Sequence, residues 1–337
     1  MLLNNLKINL PDKASYFLVA LILFVILFQD LLAALYAGLL VYAIVHLLAL
    51  QIGDRISGQG KRIIAVTVLG STIILGLSFG IWAILSFFLS DAGSLPVLLK
   101  KMADLIDQSR SEIPDWLNKY IPQGAEALQQ TLTNWIRENA SHAQQIGKLT
   151  GRFIVQIIIG MIIGAMIALF ENKNLNLKPF SKALTQRALN LHISFRQIVF
   201  AQVRIAAINA FFTGIFLAFI LPLMNVNLPF IKTMILITFI TGLLPVIGNL
   251  ISNTVIVVIA LSHSLFIAIL CLVFLIAIHK FEYFLNAKII GNRINSRAWE
   301  LLVSMLLMES IFGIAGVIAA PVYYAYFKSE LQKVDLI

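Results

Sequence analysis

Charge is what this sequence has least of. Only 12% of its 337 residues are charged, where a soluble chain carries roughly a quarter. Cysteine is nearly absent too: Cys271, the single one, sits within an apolar run. That excludes an intramolecular disulfide and a cysteine-cluster metal site. There is no HExxH pair, no Walker lysine loop and no Rossmann glycine pattern, so ATP drive and common catalysis have no foothold. Gly76-Leu77-Ser78-Phe79-Gly80 spells a hydrolase GxSxG elbow. Such an elbow needs a strand-turn-helix setting and partner residues, and here it lies inside an apolar run. Helix packing through small residues is the expected use of these glycines, as of Gly160 and Gly164. Neither an enzyme nor a cofactor is expected.

What the chain has instead is apolar sequence. Hydrophobic residues make up 60%, arranged in runs near 14–28, 31–50, 63–90, 152–170, 199–221, 231–262, 264–281 and 301–327. Most are long enough to cross ~30 Å of hydrocarbon. The fold class is all-α, a polytopic integral membrane protein with about eight transmembrane helices. Lys7 and Lys13 precede the first run, but no clear small-x-small cleavage site follows, so an uncleaved first span is expected. Gln29-Asp30 alone separates the first two runs, which predicts a tight helical hairpin.

The net charge of +9 is explained by topology rather than by nucleic acid, for which no partner role is expected. Lys and Arg gather in cytoplasmic loops. Arg55, Lys61 and Arg62 lie in loop 51–62, and Lys173, Lys178, Lys182, Arg187 and Arg196 in 171–198. Both loops, and the N-terminus with them, are expected in the cytoplasm. The chain then divides into N-terminal spans over 1–90, an extracytoplasmic amphipathic insert over 91–150, and a C-terminal membrane region over 151–337. The insert carries an a/d-type seam, Leu128, Leu132, Trp135, Asn139, His142, Ile146 and Leu149, which needs a partner helix. A helical hairpin fills that need within one chain; homo-oligomerisation fills it between chains. Segment 172–198 is amphipathic and basic, and predicts a helix in the lipid interface.

Two late runs are interrupted. Pro245 to Gly248 breaks 231–262, because proline removes a donor and glycine loosens the chain. The break spans 241–253 and carries Asn249 and Asn253, one turn apart. A second break spans 309–321, with Gly313 and Gly316. Lipid cannot satisfy freed backbone groups, so such breaks are buried in protein or line a cavity. Transporters present broken helix ends to substrate in this way. The loop 280–297 is basic, which favours a re-entrant path for 231–262 over one crossing. Ionisable residues at membrane depth are functional candidates by default. Glu309 lies about nine residues into the last run, and Glu282 flanks the end of the one before it. Arg204, near the start of 199–221, is expected to snorkel to the interface.

In these same stretches the chain resembles a known family. Phe200-Ala201-Gln202, Asn227-Leu228-Pro229, Leu244-Pro245-Val246-Ile247-Gly248, Glu282-Tyr283-Phe284-Leu285-Asn286, Ile289-Ile290-Gly291-Asn292-Arg293-Ile294, Phe312-Gly313-Ile314-Ala315-Gly316 and Ala319-Ala320-Pro321 are similar, in order, to elements of the autoinducer-2 exporter (AI-2E) family of bacterial membrane transporters. Ala287 and Ala298 stand where that family commonly has proline. The resemblance implies a secondary transporter of the bacterial inner membrane, exporting a small polar solute such as a quorum-sensing signal on the proton gradient. A Na⁺/H⁺ antiporter on the same scaffold is the alternative, and a non-transporting oligomeric scaffold a further one. The expected solute or ion pathway comprises Pro245, Gly248, Asn249, Asn253, Glu282, Asn286, Arg293, Glu309, Gly313 and Gly316. The expected partners are that solute, protons or monovalent cations, and membrane lipids.

Overall fold

The structure, a computed structural model, describes residues 9–52, 57–89, 124–170, 177–243, 247–261, 263–289 and 297–336. All elements among these residues are helices: α1 (Leu10–Phe28), α2 (Leu32–Gln51), α3 (Gly58–Leu89), α4 (Gly124–Glu138), α5 (Ala140–Phe170), α6 (Pro179–Ile215), α7 (Ile231–Gly242), α8 (Ile247–Leu261), α9 (Leu265–Ile289) and α10 (Ala298–Lys333). A π-helical turn, Phe216–Ile220, and a short helix, Leu221–Leu223, prolong α6. Among the described residues, seven helical stretches are long and apolar enough to cross a membrane, by length and composition; Ile231–Gly242 and Gly248–Leu261 are shorter apolar helices. The protein is a multi-pass membrane protein.

The α1–α2 hairpin forms as the sequence predicts. Asp30 takes a left-handed conformation, φ 57°. Its N–H donates to the Leu27 carbonyl at 3.2 Å, and the Leu31 N–H to the Ile26 carbonyl at 2.8 Å. These paired bonds satisfy carbonyls that a helix end leaves open. Arg152 of α5 donates to the Gln29 carbonyl at 3.0 Å, covering another. Beyond the turn, α2 lies against α5 along a strip of small residues. A methyl group on Gly160 would strike the Ala34 backbone, and one on Gly164 the Gly38 backbone. Close backbone approach is the reason for glycine at both places. Gly76 and Gly80 differ: both face open space, so packing within the protomer does not account for them.

Helix α6 is the spine. At 1.5 Å per residue its 37 residues span about 55 Å. Segment 172–198 is therefore not a separate interfacial helix: from Pro179 onward it is the first half of α6. Of its polar residues, Arg187, Asn190 and His192 are buried, while Lys182, Thr185, Gln186 and Arg196 are exposed. The periodicity was compatible with either setting; distant Glu330 and Asp12 supply the partners that make burial affordable. The boundary of the insert at residue 150 likewise falls inside a continuous helix, α5. Residues 91–123 and most side chains of the a/d-type seam (Leu128, Leu132, Trp135, His142, Ile146) lie outside the described residues.

Both interrupted runs fold back on themselves. Helices α7 and α8 pack side by side, and Met234 shares one apolar cluster with Ile256 and Ala260. The 231–262 run thus enters and leaves at one end of the bundle, the path that the loop charges favour. In α10 the break is Gly313, whose φ of 59° and ψ of −142° are non-helical. Lys328 reaches Glu300 at 2.6 Å. In a straight helix those residues would stand about 42 Å apart. Gly316 likewise lies against the Met308 carbonyl. The apparent 36-residue helix is two antiparallel arms.

These hairpins approach α6 from opposite ends. Gln202 donates to the Gly242 carbonyl at 2.8 Å, Gly242 faces Ala206, and Gly214 faces Ile235, so α7 runs antiparallel to the second half of α6. The return arm of α10 pairs with the first half, where Arg187 meets Glu330 at 3.0 Å. Counted residue for residue from that contact, Gly313 comes level with Arg204. Both hairpins therefore aim their folded ends at one short stretch of α6. Three apolar clusters surround this arrangement: α1 with α6 and α10, α7 to α9 with the end of α6, and α2 with α3 and α5.

Candidate functional site

An amide or a carboxylate inside an apolar bundle must find partners or remain costly. Next to the folded end of the α7–α8 hairpin, three such side chains find one another. Glu282 of α9 is buried, as are Asn249 on the first turn of α8 and Asn209 of α6. Asn249 Nδ2 donates to Glu282 Oε2 at 2.7 Å. Asn209 Nδ2 donates to the same oxygen at 3.2 Å and lies 3.3 Å from Asn249 Oδ1. One turn along α8, Asn253 Nδ2 lies 3.5 Å from His279 Nδ1. Helices α8 and α9 are antiparallel neighbours, which is why the pairs Asn249–Glu282 and Asn253–His279 step along together. Asn209 Oδ1 is buried and has no hydrogen-bond partner among the described residues.

The hairpin end itself is held by backbone chemistry. Gly248 lies so close to the Thr241 carbonyl and the Gly242 nitrogen that a side chain has no space. The Gly242 carbonyl, freed where α7 stops, accepts from buried Gln202. A broken helix inside lipid needs such a replacement partner for each freed group.

Of the residues expected from sequence, the structure brings Gly248, Asn249 and Glu282 together, with Asn253 half-buried beside them. Gly313 and Gly316 form the other fold-back. Glu309 is on the first arm of α10, exposed, and makes no hydrogen bond or ion pair among the described residues. Asn286 belongs to α9, but its side chain lies outside the described residues; so do Pro245 and Arg293. Arg204 is exposed. Asn209, Gln202 and His279 were not among the expected site residues. A signal for two of them was present: Gln202 and Asn209 are seven residues apart in a stretch whose other polar residue is Arg204, hence on one helix face. Weighing only ionisable residues at membrane depth passes over amides. No group of three His, Cys, Asp or Glu side chains that could hold a metal occurs among the described residues.

A second buried polar cluster ties the base of the α10 hairpin. Glu330 accepts from Arg187 at 3.0 Å and from Asn190 at 2.6 Å, and Asp12 lies 3.4 Å from Arg187. Across the same hairpin, Tyr324 and Lys328 both donate to Glu300. Two tyrosine hydroxyls add interhelical bonds, Tyr36 to the Ile318 carbonyl and Tyr323 to the Leu23 carbonyl. These contacts join α1, α2, α6 and α10 and stand apart from the carboxylate–amide cluster.

A Bacillus subtilis (strain 168) protein named "Putative transport protein YdbI" is 28% identical over 184 residues, 51% of this chain and 51% of that protein. The chain thus spans about half the length of the curated relative it matches. The model of the family described as "AI-2E family transporter" matches residues 16–335, nearly the whole length. By that match the chain belongs to the AI-2E family of transporters.

Proposed function

We propose that this protein is a secondary transporter of the bacterial inner membrane that exports a small polar solute, such as a quorum-sensing signal, on the proton gradient. The observation that carries the reading is the buried Glu282–Asn249–Asn209 cluster at the end of a folded-back helix pair. A carboxylate and amides held inside an apolar bundle are expensive, and their use is to meet a polar ligand or a proton there. The half-helix ends add backbone groups that face the same region. The second hairpin, with Gly313 at its bend, aims at the same stretch of α6 and forms the other wall of the pathway. Protonation of Glu282 is the step that couples solute movement to the gradient. The basic connection between α2 and α3, the start of α6 and the basic end of α9 lie on the cytoplasmic side with the N-terminus, and the α10 hairpin is entered from that side.

The test is reconstitution of the full chain into liposomes with an imposed proton gradient. Uptake or release of signal molecules, other polar solutes and Na⁺ is followed together with internal pH. Solute movement that collapses with the gradient is expected. A chain that moves no solute, and leaks no proton with any of them, would overturn the proposal.

A further inference from the structure

Polar side chains along α6, α8 and α9 fall into two tiers. Helix α7 runs antiparallel to the second half of α6, and α8 antiparallel to α7, so α8 is parallel to α6. Asn209 meets Asn249; four residues on, Thr213 comes level with Asn253. Asn253 Nδ2 lies 3.5 Å from His279 Nδ1, and His279 precedes Glu282 by three residues on α9. Thr213, Asn253 and His279 thus make a second tier, one helical turn from Asn209, Asn249 and Glu282. The tiers differ in their access to water. Glu282 is 8% exposed, whereas His279 is half-buried and its neighbour Lys280 exposed. Thr213 Oγ1 is buried with no hydrogen-bond partner among the described residues, and a hydroxyl can both donate and accept.

A carboxylate buried this far from water can titrate only if a route brings its proton. We propose, resting on the transport reading above, that His279 is that route: the half-buried imidazole passes protons between Glu282 and water. Side chains three residues apart on a helix have Cβ atoms roughly 5–6 Å apart, a gap closed directly or through one water. In one direction an imidazolium N–H bond breaks and an O–H bond forms on the Glu282 carboxylate. The neutral imidazole then takes its next proton from water, and the reverse step returns it. An imidazole is the side chain that exchanges a proton near neutral pH. Asn253 suits both of its states: the amide N–H meets a neutral Nδ1, and the amide turned over offers its oxygen to an imidazolium N–H. Among the described residues little else titrates nearby. Helix α8 has no titratable side chain, nor has α6 beyond Arg204. Lys232 of α7 and Lys280 of α9 are exposed, and Cys271 is buried more than two turns earlier on α9.

The experiment follows the proton on Glu282 in the purified full chain, through the infrared C=O band of its protonated carboxyl. That band is identified as the one missing in Glu282→Gln, and a light-released acid jump starts the clock. In His279→Gln the band is expected to grow in at least tenfold more slowly than in wild type, to the same final size. Free imidazole at millimolar concentration is expected to restore the rate in His279→Gln and leave wild type unchanged. Asn253→Leu, which keeps the imidazole and removes its amide partner, is expected to slow the band severalfold. A purely structural His279 would move the melting temperature or the band size without rescue by imidazole, and would overturn the proposal. An unchanged rate in His279→Gln would overturn it too, as would a wild-type protein that shows no Glu282 band at any pH where it is folded. Vesicle transport by the same preparation keeps the two proposals apart. Gradient-driven solute movement with a protonation rate indifferent to His279 would sink only this one. Protonation that depends on His279, in a chain that moves no solute, would sink only the transporter reading.

Discussion

Arg187 and Glu330 meet at 3.0 Å with side chains 10% and 4% exposed, joining the spine helix to the last arm of the chain. Asn190 and Asp12 complete the contact, at 2.6 Å from Glu330 and 3.4 Å from Arg187. Removing one member of a buried pair leaves an uncompensated charge, which costs about 3–5 kcal/mol. Arg187→Met or Glu330→Gln is therefore expected to lower the melting temperature of the purified protein markedly. The double variant Arg187→Met/Glu330→Met is expected to recover much of that loss, since apolar residues of similar volume replace such pairs at little cost. Equal loss in the single and double variants would deny the pair this role.

The fold-back at Gly313 has its own test. Its φ of 59° with ψ of −142° lies outside the regions open to residues with a Cβ, so Gly313→Ala is expected to cost about 1–3 kcal/mol. Antiparallel arms also place Glu300 beside Lys328. With buried Cys271 changed to Ser, a short bifunctional thiol reagent is expected to join cysteines placed at 300 and 328. A straight helix would hold them about 42 Å apart, and no such product would form.

Glycines on α5 and α3 should answer differently to an added side chain. Gly160→Val forces a side chain against the Ala34 carbonyl of α2, and overpacking of this kind costs about 1–3 kcal/mol. Gly70 has nothing within 4 Å, so Gly70→Ala is expected to stay within about 0.5 kcal/mol of wild type. Melting temperatures of the two variants, prepared side by side, check the contrast.

These features were unevenly legible in the sequence. Apolar runs fixed the helices because hydrocarbon thickness sets their length, and Gln29-Asp30 marked the first turn since no other polar pair divides that stretch. Pro245 to Gly248 and Gly313 announced breaks through backbone chemistry alone. The path of α10 was not legible: a glycine locates a bend, but only the Glu300–Lys328 contact shows that the chain reverses there. The basic pattern of 172–198 pointed to a lipid surface, because a local pattern cannot reveal that Arg187 meets Glu330, 143 residues away. The role of Asn209 was hidden for a related reason, although its spacing from Gln202 was visible. A buried amide acquires meaning only when Asn249 and Glu282 arrive from two other helices.

Glu309, inside its run, and Glu282, at the end of one, were both candidates for coupling by sequence, and their surroundings separate them. Glu282 is buried and receives two amide N–H groups. Glu309 is exposed on the first arm of α10 and touches no polar partner among the described residues. A group that couples proton and solute must sit where both compete for it, and only Glu282 shares its position with other polar side chains. Glu282→Gln keeps the volume and an acceptor but abolishes the titration, so gradient-driven transport in liposomes is expected to fall at least a hundredfold, about 2.7 kcal/mol. Glu309→Gln is expected to stay within a few-fold of wild type under the same gradient. Internal pH recorded in the same vesicles should show proton movement lost with Glu282→Gln and retained with Glu309→Gln. The reverse result would move the coupling site to the α10 hairpin and leave the carboxylate–amide cluster a structural contact between α6, α8 and α9.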